Sequence, residues 1–117
     1  MNIKQAKEFC RSLPGATEDI KWVDHLVFSV GGKMFAVTDV DAKATSIRFK
    51  VDDDRFLELT DRPGIIPAPY LAKSRWIRVE DIKSLNDAEA KELLQRAHEL
   101  IFAKLTKKLQ REIEGAA

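Results

Sequence analysis

Residues 26–37 read Leu-Val-Phe-Ser-Val-Gly-Gly-Lys-Met-Phe-Ala-Val. Leu26, Phe28 and Val30 alternate with Val27, Ser29 and Gly31, the period-two pattern of a strand with one face toward a core. Gly31-Gly32 then offers two residues free to take the positive φ of a tight turn, and Lys33 to Val37 resumes an extended apolar run. The stretch predicts a β-hairpin with Lys33 at its tip.

Downstream of the hairpin, residues 39–44 form a polar approach to a third strand, in which Ile47, Phe49 and Val51 alternate with Ser46, Arg48 and Lys50. One face of that strand is apolar and the other basic. Asp52-Asp53-Asp54 opens a helix running to about Thr60, where carboxylates can cap free N–H groups and oppose the positive end of the macrodipole. Pro63-Gly64 closes it. Pro67 and Pro69 hold the next loop extended until Ser74 to Val79 forms another strand. Upstream, Ile3, Ala6, Phe9 or Cys10, and Leu13 recur at helical spacing before Pro14-Gly15 ends the helix in a pair suited to a type II turn.

Asn86 with Glu89 three residues on resembles a capping box, and no Gly or Pro follows until about Glu114. That segment predicts one long helix of roughly 40 Å. Its apolar set, Ala90, Leu93, Leu94, Ala97, Ile101 and Leu105, widens at Leu100, Phe102, Leu109 and Ile113 to about half the circumference. A helix lying on one sheet face needs only ~100°. The surplus packs either on a second chain or against the first helix. The fold class is therefore α+β: a two-layer, antiparallel sheet with an N-terminal helix, a short middle helix and a long C-terminal helix, all in a single domain over residues 1–117.

The 117 residues are 44% apolar and 33% charged, enough for one core that buries about two thirds of the unfolded surface. Lys and Arg number 20 against 19 Asp and Glu, so no whole-molecule field draws the chain to polyanions or lipid headgroups. Nucleic-acid binding has to rest on a local patch. The lone Cys10 rules out an internal disulfide, and Met1 to Leu13 mixes charged and apolar residues unlike a signal peptide or membrane span. The expectation is a cytoplasmic protein without membrane contact, monomeric or weakly dimeric.

Leu13-Pro14-Gly15 followed by Glu18, Val30-Gly31-Gly32-Lys33-Met34-Phe35-Ala36, Ile47-Arg48-Phe49-Lys50-Val51, and Pro63-Gly64 with Tyr70 and Trp76 together resemble the MmcQ/YjbR family over essentially the whole chain. The resemblance implies a fold related in shape to secretion chaperones and frataxin-like domains, and DNA-binding proteins with a winged surface. It supplies no catalytic residue. Trp22 stands where many relatives look different.

A physical case for DNA lies on the sheet face opposite the core. If Ile77 and Val79 point inward, pleating sends Ser74, Trp76 and Arg78 outward, beside Ser46, Arg48 and Lys50. Cations there could neutralise phosphates while Trp76 stacks on a base. Lys33 at the hairpin tip, with Lys73 and Arg75 at the loop exit, would extend the surface as wings. The nucleic-acid-binding set is thus Lys33, Arg48, Lys50, Lys73, Arg75, Trp76 and Arg78. The competing arrangement packs Trp76 beneath Tyr70 and the Pro67–Pro69 loop and pairs the cations with Asp39, Asp41, Glu58 or Glu80.

Other constellations read as structural. Gly31-Gly32-Lys33 joins two strands and lacks the flanking residues of a phosphate loop. Asp24-His25 and His98 sit on distant elements without a cysteine pair, so no metal spacing arises. Asp52 to Asp54 are accounted for by capping, and Cys10 by burial on a helix face. Lys104, Lys107, Lys108 and Arg111 oppose the macrodipole at a helix C-terminus as a solvated face. No enzyme, metal or cofactor is expected. Two functions remain: a small DNA-binding module, engaging double-stranded DNA, or a protein-binding, chaperone-like adaptor.

Overall fold

The computed structural model describes residues 1–115. Helix α1 (Ile3–Ser12) starts on a reciprocal cap, in which Asn2 accepts from the Gln5 N–H and Gln5 accepts from the Asn2 N–H. Gly15 then turns the chain at φ +69°. Strands β1 (Ala16–Lys21), β2 (His25–Val30), β3 (Lys33–Asp39) and β4 (Ile47–Lys50) follow. Helix α2 (Asp53–Thr60), β5 (Ile65–Pro67), a 3-10 turn at Ala72–Ser74, β6 (Trp76–Val79) and a second 3-10 turn at Ile82–Ser84 lead into α3 (Asp87–Phe102) and α4 (Lys107–Gly115). All six strands form one antiparallel sheet in the order β1-β2-β3-β4-β6-β5. The α+β, two-layer expectation holds. No described helix is long and apolar enough to cross a membrane.

The hairpin forms as its sequence predicts, with Val30 opposite Lys33 and Gly31 and Gly32 at φ +58° and +79°. A bulge follows: Phe28 pairs with Ala36 and Ser29 with Met34. Phe35 is the extra residue, so Phe35 and Ala36 both join the inner core while Met34 and Val37 turn to the other face. That inner core sets Phe28, Val30, Phe35, Ile47, Phe49, Ile77 and Val79 of the sheet against Ala6 and Cys10 of α1 and Leu93, Leu94, Ala97 and Ile101 of α3.

Strands β1 and β5 were not visible in the sequence. β1 is an edge strand exposed along nearly its whole length, so burial imposed no alternation on it. β5 contains Pro67, which an edge strand tolerates because its missing N–H is not needed by a neighbour.

The C-terminal helix also differs from the single rod that the absence of Gly and Pro suggests. It breaks at residues 103–106. The Gln110 Nε2 group donates to the Phe102 and Leu105 carbonyls at 3.2 and 3.0 Å, and the Leu109 N–H donates to the Thr106 hydroxyl at 3.2 Å. The break folds Leu105 and Leu109 onto Gly31 and Ile113 onto Gly15. A Cβ at Gly31 would lie 2.6 Å from Leu105 Cδ1, so this close approach and the positive φ both require glycine. Most of the wide apolar arc is thereby covered within the chain, partly against the two glycine turns as well as α1, while Leu100 stays half-buried outside that core.

The acidic run at α2 is divided among partners. Asp52 sits at the N-cap position but makes no capping bond, because Arg96 of α3 binds its carboxylate at 2.9 and 3.0 Å. Asn86 does cap α3, accepting from the Glu89 N–H at 2.8 Å, while the Glu89 carboxylate is taken by Arg62 at 2.7 Å. These two ion pairs fasten α2 and the turn after it to α3.

Candidate nucleic-acid interface

The β4–β6 register aligns the outward side chains as pleating requires. Arg48 lies opposite Arg78 and Lys50 opposite Trp76, while Ile47, Phe49, Ile77 and Val79 enter the core. Lys50, Arg48 and Arg78 thus share the outer wall with the indole, as the sequence suggested. What differs is the environment each one finds.

Trp76 is the main correction. It is only 4% exposed and packs with Val27, Val37, Ala68, Met34 and Leu71 in a second, smaller core on the outer face. The loop before β6 turns back over its own strand: the Ala68 N–H donates to the Trp76 carbonyl at 3.0 Å and the Trp76 N–H to the Leu71 carbonyl at 3.2 Å. Burying an indole removes about 200 Å² of apolar surface from water, which favours closing the loop over presenting the ring to a base. Trp76 therefore leaves the set of contact residues. Its cover comes from Ala68 and Leu71, since Tyr70 is fully exposed.

Arg75 is the second correction. Its left-handed backbone, φ +62°, aims the guanidinium toward α2, where it meets Asp53 at 3.3 Å and stands 5.4 Å over the Phe56 ring. Lys50 is tied down differently, donating to the Ser74 carbonyl. Desolvation lowers its pKa from the usual lysine range, and Lys104 adds to the effect. Both cations are thus engaged within the chain, Lys50 through one of its three donors and Arg75 through an exposed ion pair.

Four cations remain: Lys33, Arg48, Lys73 and Arg78. None has a carboxylate within 4.0 Å among the described residues. Lys33 and Lys73 are exposed at the same end of the sheet. Arg48 and Arg78 are half-buried and adjacent, and the Arg78 Nε is buried without a hydrogen-bond partner. Like charges directly opposite across two strands oppose folding, so this pair is a local source of positive potential that the protein leaves uncompensated.

Sequence reasoning missed the aromatic part of the wall. Trp22, 62% exposed, and Tyr70 line a groove of about 550 Å³ with His25, Met34, Val37, Arg48, Pro69 and Leu71. Trp22, Val23 and Tyr70 all have positive φ, at +52°, +75° and +67°. The Asp24 N–H donates to the Trp22 carbonyl at 2.9 Å, closing a γ-turn about Val23 of the rare, strained kind. A β-branched residue at such φ is a genuine outlier. The sequence signal was faint: an aromatic next to an apolar residue in a polar strand connection, and a tyrosine following a proline.

The remaining candidates are structural. His25 Nδ1 is 2.9 Å from Asp24 Oδ1, and Trp22 meets the imidazole edge-on at 5.7 Å. The buried His98 donates from Nε2 to the Pro14 carbonyl at 2.7 Å and packs between Phe35 and Phe102. Cys10 is fully buried, and desolvation pushes its thiol up to about 12. No group of three or more His, Cys, Asp or Glu among the described residues is placed to hold a metal ion.

A family model described as YjbR matches residues 11–100 of the chain. Among solved structures, a Deinococcus radiodurans protein, DR2400, with the family-model domain DUF419, is 28% identical with a TM-score of 0.85, over 97% of this chain and 88% of that one. A Pseudomonas syringae protein is 25% identical with a TM-score of 0.70, over 86% of this chain and 99% of its own. No curated protein matches.

Proposed function

We propose that this chain, which belongs to the YjbR family, binds DNA through the outer wall of its sheet. Arg48 and Arg78 would meet the phosphates, and Lys33 and Lys73 flank them at the sheet's end. The observation that carries this reading is the uncompensated arginine pair across β4 and β6. An anion lodged against the accessible ends of the two guanidiniums would relieve the repulsion, which is why an otherwise unfavourable pairing points to a ligand rather than to stability. The role is binding, not catalysis.

With two to four phosphates neutralised, affinity for duplex should fall about 12- to 150-fold between about 50 and 200 mM salt, from a slope of about 0.9 per contact. Fluorescence anisotropy of labelled DNA measures this directly. Absence of binding at the lower salt, or binding untouched by Arg48→Glu with Arg78→Glu, refutes the reading.

One observation favours a second reading, a protein-binding adaptor. Ile20, Trp22 and Val23 are exposed on and just beyond edge strand β1, whose outer rim has no strand partner. A partner strand could add there. Such association would tolerate salt and leave the double glutamate variant unaffected.

A further inference from the structure

Resting on the DNA-binding reading, we infer that the groove between the β1–β2 turn and the Pro67–Leu71 loop receives one unpaired nucleobase of a single strand, with Arg48 meeting the adjoining phosphate. The two exposed rings at the groove, Trp22 and Tyr70, are the residues that stacking chemistry needs, and they stand where the buried Trp76 does not. The groove's volume, about 550 Å³, falls within the roughly 300–1,000 Å³ of small-ligand sites. Met34, Val37 and Leu71 give it apolar walls, and Arg48 is the one cation among the residues lining it.

The Trp22 ring is held ready for an occupant, and the Tyr70 ring stands fully exposed on the facing loop. Trp22 enters a γ-turn and Tyr70 follows Pro69, both with left-handed backbone, and the His25 imidazole abuts the indole at 85°. Three of the four non-glycine residues with positive φ among the described residues, Trp22, Val23 and Tyr70, lie on the two loops that border the groove, which marks a place where side-chain position outweighs backbone comfort. Pre-set loops also lower the ordering cost of binding.

Charge selects the occupant. A hydrophobic peptide lying in the groove would desolvate Arg48 further and leave it beside the equally unpaired Arg78. A nucleotide supplies an aromatic face and an anion together. In a duplex both faces of each base are already stacked, so the groove discriminates in favour of single strands.

The test uses the full chain with a labelled short oligothymidylate, a blunt hairpin duplex and thymidine monophosphate, all at low salt. Oligothymidylate should bind at least about tenfold more tightly than the hairpin and quench Trp22 emission. Trp22→Gly removes the ring at a φ that glycine takes freely, so the unfolding midpoint should not fall. That variant, and Tyr70→Ala separately, should weaken oligothymidylate binding about 5- to 150-fold while hairpin affinity stays within twofold. Saturation by the monophosphate with the same Trp22 dependence supports the groove and assigns its source to free nucleotide. Equal affinity for strand and hairpin, indifferent to both aromatic variants but abolished by Arg48→Glu with Arg78→Glu, overturns the inference and leaves the broader reading standing. No binding of any probe removes both. Self-association lost in Trp22→Gly, without nucleotide binding, overturns the inference in favour of a protein contact.

Discussion

Replacing Arg78 by methionine should make the protein more stable while removing an anion contact. Arg78 sits directly opposite Arg48, and its Nε is buried without a partner. If the two guanidiniums splay to about 8 Å, their repulsion is about 0.5 kcal/mol in bulk water and about 2 kcal/mol at an effective dielectric of 20. Measured cross-strand charge pairs fall near the lower figure, about 0.2–1 kcal/mol. Methionine keeps an apolar stem of similar length, so packing on the outer wall changes little. It also removes an unsatisfied donor, a further gain of about 1 kcal/mol at most. The net expectation is a stabilisation of about 1 kcal/mol, or about 4 °C in Tm for a domain of this size. Urea unfolding followed by tryptophan emission, with Trp76 as a buried reporter, measures it. Because the Debye length shortens from about 10 Å at 0.1 M to about 3 Å at 1 M salt, much of the gain should fade at high salt. A loss of more than about 1 kcal/mol at both salts, or a gain indifferent to salt, would refute the idea that the arginine pair is strained by its own charge.

Trp76→Ala should cost about 3–5 kcal/mol in the same assay, since it empties the centre of the outer core; a cost below about 1 kcal/mol would mean the loop does not hold the ring. Hydrogen bonding to Arg62 lowers the pKa of Glu89, so that pair stabilises the fold fully above the unfolded carboxylate pKa of about 4.3, and the contribution is lost as pH falls from there through the lowered native pKa. Glu89→Gln should therefore lower stability by at most about 1 kcal/mol near neutrality, with the difference from the parent chain shrinking only as pH falls from about 4.3 through the lowered native pKa, in acid titrations monitored by circular dichroism. Cys10, buried with its thiol pushed up to about 12, should react with an aromatic disulfide at pH 8 only as fast as the fold opens, and at once in urea. Rapid labelling of the native protein would contradict its place in the core.

The alternation around Gly31-Gly32, the basic stripe of Ser46 to Val51 and the run from Ser74 to Val79 determined four of the six strands, and with them which side chains share the outer wall. Period-two burial is a local property, so it can be read one strand at a time. The edge strands β1 and β5 lacked that imprint because they bury little. The helix break at residues 103–106 escaped for another reason: no Gly or Pro marks it, and it follows from Leu105 and Leu109 seeking the space that glycine leaves on a distant turn.

The candidate site divides the same way. That Arg48, Arg78, Lys50 and Trp76 face one direction was legible, since it needs only the pleat. Which of them stays available was not, because availability depends on what the rest of the chain lays over them. The Pro67–Leu71 loop seals Trp76, Asp53 captures Arg75, and the Ser74 carbonyl holds Lys50. The same loop and the strained turn at Val23 bring forward Trp22 and Tyr70, aromatic residues far apart in the chain. Sequence fixes the direction of a side chain from its strand, whereas cover, charge pairing and the joining of remote loops arise only when the whole chain competes for the same surface.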